Sequence, residues 1–174
     1  RFLPPAGNGE HLWCQGYSEP NAGSDLATLR TMAVRQGDTY VVNGTKIWNS
    51  YGHEADWMFA LVRTSTDGKT QEGISVLLID MSTKGISHRP IITIDGSHIL
   101  NEIRFDNVEV PAGNRIGEEN KGWTYAKYLL GNERALIAQI AQSTKLVKRI
   151  KTVGAAELSD GRGIIDEADF RSKL

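Results

Sequence analysis

The feature that most constrains the fold is a series of short apolar segments, separated by polar turns, over the first two-thirds of the chain. Residues 57–63 and 73–80 are the clearest of these segments, and their length and polar boundaries predict buried strands. Gly37-Asp38 precedes a further segment, 39–47, which predicts strand, turn and strand. Such signals recur every ~10–15 residues without helical pattern between them, which is typical of a β-sandwich or barrel.

Two later segments predict strands that are locally irregular. Residues 86–94 are apolar but contain Pro90. Because proline cannot donate to a sheet ladder, this segment suits an edge strand or one with a bulge. The next strand is interrupted at 106–107 and is marked by Ile103, Phe105, Val108 and Val110. These segments predict that the first two-thirds of the chain is all β.

A helical period replaces the strand pattern after residue 121. Residues step by three and four along one face, and the members of this stripe are Trp123, Ala126, Leu130, Glu133, Ile137, Ile140, Thr144 and Val147. The pattern predicts one helix from Gly122 to about Val153, ~45 Å long, and a second helix over 166–174. A helix of that length needs other helices to cover it.

The two ends of the sequence suggest a larger protein. The chain starts at Arg1 without a methionine and stops at Leu174 inside the second helical segment. We therefore expect the helices that cover residues 122–153 to lie outside this sequence.

Composition argues against several classes of function. With a formal net charge of −1, the chain lacks the basic surface on which a nucleic-acid binder relies. A single cysteine, Cys14, excludes an internal disulfide framework and a zinc site built from several cysteines. The histidines have no metal-binding spacing, and no apolar run reaches the ~18 residues of a membrane span. We expect a cytoplasmic protein with no metal, no nucleic-acid partner and no membrane.

The most informative irregular segment is W-C-Q-G-Y-S-E-P-N-A-G-S-D, residues 13–25. Its glycines and proline argue against a regular helix or the interior of a central strand. Hydroxyls and main-chain N–H groups beside a glycine can approach a phosphate or the edge of a flavin ring. The same residue types also form turns, so the local sequence leaves open a plain turn that leads into the next strand.

Two other positions combine residue types in an unusual way. The segment W-N-S-Y-G, residues 48–52, follows a predicted strand directly and is both aromatic and polar. It is either an ordinary turn with a packed tryptophan or a surface on which Trp48 covers an aromatic ligand. Glu133 lies on the apolar helical face, where an uncompensated carboxylate is costly. It is paired with a charge on another helix, or it lies at the edge of the stripe through a shift of register, or it is a general base in a dry pocket.

Taken in order, these segments resemble the acyl-CoA dehydrogenase family, in its middle β-domain and the first helix of its C-terminal domain. The matching stretches are S-E-P-N-A-G-S-D (18–25), N-G-T-K-I-W-N-S-Y-G (43–52), E-G-I-S (72–75), F-D-N-V-E-V-P (105–111), G-E-E-N-K-G-W (117–123) and N-E-R-A-L-I-A (132–138). They follow the family's order. The wording of residues 13–20 and 90–96 is most similar to bacterial pimeloyl-CoA dehydrogenase large subunits, a class that acts on dicarboxyl-CoA.

The resemblance implies a mainly β fold. Residues 1–117 would form the middle domain, a β-barrel of two roughly orthogonal antiparallel sheets. Residues 118–174 would begin a truncated C-terminal helical domain with a long α-helix, and the N-terminal helical domain is absent from this sequence. The resemblance also implies non-covalent FAD between the barrel and the helical domains.

The same resemblance implies the residues that bind the cofactor. Tyr17 and Ser18 would meet the pyrimidine side of the flavin, with Gln15 in the same site. Ser24, after Gly23, would bind the FAD pyrophosphate and contact the substrate. Trp48 would pack against the isoalloxazine ring, with Asn49 and Ser50 near flavin N5. The family usually has Thr at the positions of Ser18 and Ser50, and Asn at the position of Tyr51.

The implied reaction removes the α-hydrogen of an acyl-CoA thioester as a proton and the β-hydrogen as a hydride, which leaves a trans-2-enoyl-CoA. Glu133 would be the base and Arg134, which completes the family's E-R motif, would contact the substrate. Other family members place the base late in the C-terminal domain. The electrons would pass to an electron-transfer flavoprotein, and the enzyme would be a homotetramer.

Two alternatives are compatible with the sequence. An acyl-CoA oxidase or flavin monooxygenase of the same fold would differ only in letting O₂ reach the reduced flavin. A non-catalytic β-module would bind a ligand or partner without chemistry.

Overall fold

Eight strands make up most of the first part of the chain. The structure is a computed structural model that describes residues 1–156 and 161–174, with the backbone alone at 135 and 136. After a short helix α1 (Leu3–Gly7), the strands are β1 (Trp13–Gly16), β2 (Met32–Gln36), β3 (Thr39–Lys46), β4 (Trp57–Arg63), β5 (Ile74–Asp80), β6 (Ile86–Ile92), β7 (His98–Pro111) and β8 (Arg115–Ile116). The prediction of a mainly β fold is confirmed.

The predicted hairpin and the predicted irregular strands are confirmed as well. β2 and β3 pair in antiparallel fashion around Gly37-Asp38. β6 is an edge strand of the sheet, and its register with β7 shifts at Ile91/Ile92, next to Pro90. The pairing of β3 with β7 shifts between Val42 and Gly44, opposite Asn107, whose φ is 51°. This extra residue explains the broken pattern at 106–107.

The predicted barrel of two orthogonal sheets is wrong. Within the described residues the strands form one sheet in the order β6-β7-β3-β2-β4-β5-β8, with β1 paired to β4, and its two ends do not pair with each other. β8 has two residues, too few to extend the sheet. At the other end, Pro90 removes a donor from β6.

Two strands share one edge of β4. β5 pairs along the whole of β4, so the other edge accommodates both β1, which is parallel to residues 57–60, and β2, which meets β4 at Arg63. The segment that connects β1 to β2 is therefore forced out of the sheet where it divides. This segment, residues 17–31, contains the S-E-P-N-A-G-S-D sequence.

The chain divides into two compact units, Arg1–Tyr128 and Leu129–Leu174. The core of the first unit consists of apolar side chains from the sheet, including Tyr40, Met58, Leu77 and Ile103. β5 is buried along almost its whole length, as its continuous apolar run predicts.

The predicted long helix is wrong in its continuity. Two helices replace it, α2 (Gly122–Ile137) and α3 (Ile140–Gly154), and Gln139 between them has a φ of 42°. Ile137 and Ile140 beside the break are 75% and 72% exposed. Helices gain most of their stability from packing of the apolar face, and packing does not stabilise a continuous helix at this point.

The predicted second helix over 166–174 is confirmed in part. The structure has a 3₁₀ turn over 164–166 and a short helix α4 (Ala168–Ser172). Among the described residues, no helix is long and apolar enough to cross a membrane.

Candidate functional site

The end of β1 lies against the segment that follows β3, and both main-chain and side-chain hydrogen bonds join them. The Ile47 N–H donates to the Ser18 carbonyl (2.9 Å), and the Asn49 side-chain amide donates to the Gln15 carbonyl (2.6 Å). The buried ring of Tyr17 packs edge-on against Phe59 at 5.9 Å between centroids. The structure thus brings Gln15, Tyr17 and Ser18 together with the segment that contains Trp48, Asn49 and Ser50.

A buried ion pair fixes the loop between β1 and β2 onto β3. Lys46 Nζ lies 2.8 Å from Glu19 Oε1 and also donates to the Tyr17 carbonyl at 3.0 Å. The Glu19 carboxylate accepts two main-chain N–H groups, from Arg30 (2.6 Å) and Thr31 (2.9 Å). Because these bonds reach both ends of residues 17–31, the loop has a defined conformation despite its irregular sequence.

Burial affects the two partners differently. Burial lowers the pKa of Lys46 from 10.5 to about 8, although the charge of Glu19 acts in the opposite direction. Burial alone would raise the pKa of Glu19, but the attraction and hydrogen bond of Lys46, with the Arg30 N–H, lower it. The difference arises because the Lys46 side chain is wholly excluded from solvent, whereas the Glu19 carboxylate, also buried, accepts hydrogen bonds from Lys46, Arg30 and Thr31.

The part of the loop that is expected to meet a phosphate follows this fixed segment. Reciprocal bonds between the Glu19 and Ala22 main chains close a tight turn, after which Gly23 and Ser24 are exposed. A Cβ added to Gly23 would have no neighbour within 4 Å, so the main chain is open to an approaching group. Arg63 holds the downstream part of the loop by donating to the carbonyls of Ala27 (2.6 Å) and Leu29.

The segment after β3 holds an aromatic side chain in a strained backbone conformation. Trp48 has a φ of 64° and Tyr51 a φ of 54°, values that are genuine outliers for bulky residues. Both side chains are more than half exposed. Asn49 between them is buried, and within the described residues its Oδ1 has no hydrogen-bond partner. An exposed indole beside an unsatisfied buried acceptor suits a planar ligand that carries donors.

Glu133 and Arg134 lie in the second compact unit, on α2. Glu133 is half-buried and Arg134 is exposed. Their assignment as base and substrate contact remains a prediction.

The described residues contain no group of three or more His, Cys, Asp or Glu side chains arranged to hold a metal ion.

Sequence reasoning missed the residues that support the site. Glu19, Lys46, Arg63 and Asn101 are all buried and none was singled out. One signal was available. Lys46 is an even number of positions after Tyr40 and Val42, so its side chain lies on the same, buried face of β3. A charged residue is almost never fully buried unless it is paired.

Comparison with known proteins identifies the family of the chain. The model of the acyl-CoA dehydrogenase middle domain matches residues 14–108, which include the loop after β1, the Trp48 segment and β7 as far as Val108. The chain belongs to the acyl-CoA dehydrogenase family. This confirms the resemblance on which the site residues were assigned.

Relatives and solved structures agree. The chain is 43% identical over 159 residues to acyl-CoA dehydrogenase FadE34 of Mycobacterium tuberculosis, covering 91% of this chain and 22% of that protein. It is 37% identical over 174 residues to FadE29 of the same organism, covering 100% and 45%. The chain therefore spans less than half the length of these curated relatives.

Two structural matches extend over almost the whole chain. A probable acyl-CoA dehydrogenase from Mycobacterium abscessus superposes with a TM-score of 0.88 at 34% identity, covering 99% of this chain and 46% of that one. The prolyl acyl carrier protein oxidase AnaB superposes with a TM-score of 0.90 at 26% identity, covering 99% and 47%.

Proposed function

We propose that the protein is an FAD-dependent acyl-CoA dehydrogenase that converts an acyl-CoA thioester to a trans-2-enoyl-CoA. Membership of the family supports this reaction in general terms. The single observation that carries the proposal is Trp48, an exposed indole kept at a φ of 64° beside the anchored loop. Strained residues persist where the surrounding structure over-determines them, and they cluster at ligand sites.

The residues present fit the isoalloxazine and pyrophosphate of FAD. Trp48 offers a flat apolar face and the unpaired Oδ1 of Asn49 offers an acceptor. Gln15, Tyr17, Ser18 and Ser50 complete the proposed ring site, with Gly23 and Ser24 at the pyrophosphate. When bound, FAD supplies the acceptor for a hydride.

The protein's own part in the chemistry is proton transfer. Glu133 takes the α-hydrogen of the thioester as a proton while the β-hydrogen leaves with its electron pair, so that a carbon–carbon double bond forms. Arg134 and Ser24 contact the substrate. A carboxylate that is partly withdrawn from water can serve as such a base.

The proposal extends to the assembly. Residues 1–117 form the middle domain and residues 118–174 begin the C-terminal helical domain. The enzyme is a cytoplasmic homotetramer that passes electrons to an electron-transfer flavoprotein.

An absorption spectrum of the full-length gene product tests the proposal. A flavin band at ~450 nm should bleach when one acyl-CoA from a panel of straight-chain and dicarboxyl thioesters is added. Glu133→Gln should keep the flavin band and abolish its bleaching. Glu118→Gln, the same charge change in an exposed loop, should keep both the band and its bleaching. A colourless protein that cannot be loaded with FAD would exclude the flavoenzyme and favour the non-catalytic β-module. Bleaching that survives Glu133→Gln would move the base to another residue.

An oxidase is a second candidate, because the structure resembles a named oxidase at a TM-score of 0.90. Oxygen consumption during turnover separates the two activities. A dehydrogenase needs an added electron acceptor, whereas an oxidase forms hydrogen peroxide in air without one.

A further inference from the structure

The Trp48 segment is attached to β7 mainly through one buried residue, Asn101. The Asn49 N–H donates to the Asn101 carbonyl (3.0 Å), and the Asn101 N–H donates to the Asn49 carbonyl (3.1 Å). The Tyr51 N–H donates to the Ile99 carbonyl at 2.7 Å. Asn101 is fully buried, so it supports a segment whose neighbouring side chains are exposed.

The side chain of Asn101 adds a bond that fixes its own orientation. Its Nδ2 donates to the Asn49 carbonyl (3.1 Å) and lies 3.4 Å from the Ile99 carbonyl. A flipped amide would place Oδ1 against two carbonyl oxygens, which offer no donor. The orientation with Nδ2 towards Asn49 is therefore the one that the main chain imposes.

This orientation determines the protonation of two histidines. Asn101 Nδ2 lies 3.0 Å from His53 Nδ1, and because an amide nitrogen only donates, His53 Nδ1 must carry a lone pair. Asn101 Oδ1 lies 2.8 Å from His98 Nε2, which must carry a hydrogen. The remaining hydrogen of neutral His53 is on Nε2, which lies 3.4 Å from Glu54 Oε1.

Proton uptake affects the two rings differently. Protonated His53 would carry a hydrogen on Nδ1 and face the Asn101 amide donor to donor. Protonated His98 would keep its Nε2 hydrogen and hence its bond to Asn101. The two rings stack at 3.9 Å between centroids, so the network is compatible with a charge on His98 but not with one on His53.

We propose that Asn101, held by neutral His53, is a positioning residue that keeps Trp48 and Asn49 in place for the flavin, and that protonation of His53 releases it. The proposal rests on the proposed function for the identity of the ligand. The hydrogen bonds of Asn101 carry it independently of that ligand.

Several charged or titratable groups surround His53. Glu54 and His98 are its direct neighbours. Burial lowers the pKa of His88, and a positive charge on His53 would act in the same direction. His11, Asp56 and Asp80 line the same cavity as His53 and His88. Variants that remove one titrating ring at a time are needed to isolate His53.

The variant that tests the positioning is Asn101→Asp in the full-length gene product. It places a carboxylate oxygen against the Asn49 carbonyl and removes the amide donor. We expect amide exchange of residues 48–52 to accelerate, and the dissociation constant for FAD to rise, by about tenfold or more. Asn43→Asp is the control for the charge change alone, because Asn43 is exposed, joins β3 to β7 through Asn107 and bonds to neither Asn49 nor Asn101.

The pH profile supplies a readout that a merely structural role would not change. His53→Asn places an amide oxygen close to the position of Nδ1, so it keeps an acceptor and does not titrate. We expect it to bind FAD as the wild type does near pH 8 and to lose the weakening that the wild type shows towards pH 5.5. His98→Gln keeps a donor near the position of Nε2, and His88→Gln removes a ring that makes no hydrogen bond to Asn101. Both variants should therefore still bind FAD more weakly in acid, as the wild type does.

The outcomes separate the two proposals. If the wild type binds no FAD, the proposed function fails, while amide exchange of residues 48–52 still decides the role of Asn101. The positioning proposal is wrong if Asn101→Asp leaves the amide exchange of residues 48–52 unchanged. It is also wrong if FAD binding by the His53→Asn variant weakens in acid as much as FAD binding by the wild type.

Discussion

Removal of one partner of the Lys46–Glu19 pair should destabilise the protein far more than removal of both. The two side chains are 2.8 Å apart and 0% and 8% exposed. Lys46→Met leaves a buried carboxylate, and Glu19→Gln leaves a buried ammonium group. The double variant leaves neither charge and retains side chains of similar length.

The expected magnitudes follow from the environment of each charge. Removing one member of a buried ion pair costs about 3–5 kcal/mol. The loss of unfolding free energy for Lys46→Met should be near the lower end of this range, because Glu19 still accepts hydrogen bonds from the N–H groups of Arg30 and Thr31. The double variant leaves no unpaired charge, and its cost is the amide NH2 of Glu19→Gln against a main-chain N–H of Arg30 or Thr31, about 1–3 kcal/mol. The double variant should unfold with a free energy closer to the wild type than either single variant, with a coupling energy of at least ~2 kcal/mol.

Urea unfolding followed by tryptophan fluorescence measures these free energies. All four tryptophans lie at or before residue 123, within the first compact unit, so the signal reports that unit. If the effects of the two single variants sum to the effect of the double variant within about 0.5 kcal/mol, the pair is not coupled and the reasoning is refuted.

The pH dependence gives a second test with a definite sign. Lys46 has a pKa of about 8 when folded, against roughly 10.4 in an unfolded chain, so unfolding takes up a proton between these values. The free energy of unfolding should therefore rise with pH across this window, by up to about 3 kcal/mol relative to Lys46→Met. An equal pH dependence in the two proteins would contradict the burial of a charged Lys46.

Three further predictions concern single positions. Gly122→Ala should lower the free energy of unfolding by about 1–3 kcal/mol, because the new Cβ would lie 2.8 Å from the Ser75 main chain; unchanged urea unfolding would contradict this close approach. Trp48→Gly should raise stability by about 1 kcal/mol by relieving the left-handed conformation while it weakens FAD binding in a titration, and a gain in both would argue against a ligand role. Burial raises the pKa of Cys14 to about 12, so a thiol reagent at pH 8 should react only after unfolding; rapid labelling of the native protein would show that the thiol is accessible.

Local pattern was sufficient for the elements whose stability is local or repetitive. The apolar runs of β4 and β5 predict buried strands because each residue contributes to the same core. The edge position of β6 follows from one missing N–H at Pro90. The continuity of residues 122–153 could not be predicted in the same way, because a helical period shows which residues share a face but not whether anything packs on it. Ile137 and Ile140 beside the break are exposed, so no packing holds the two helices in one continuous helix there.

The candidate site shows a different limit. Motif residues that face a ligand could be assigned by resemblance, since their chemistry is visible in their side chains. The residues that hold them could not, because Lys46 is 27 positions from Glu19 and Asn101 is 52 positions from Asn49. Sheet register, which no local pattern supplies, brings these partners together. A lysine that continues the buried alternation of Tyr40 and Val42 at the end of β3 does imply that a buried acceptor exists, so the sequence predicts the need for a partner while only the fold identifies Glu19 as that partner.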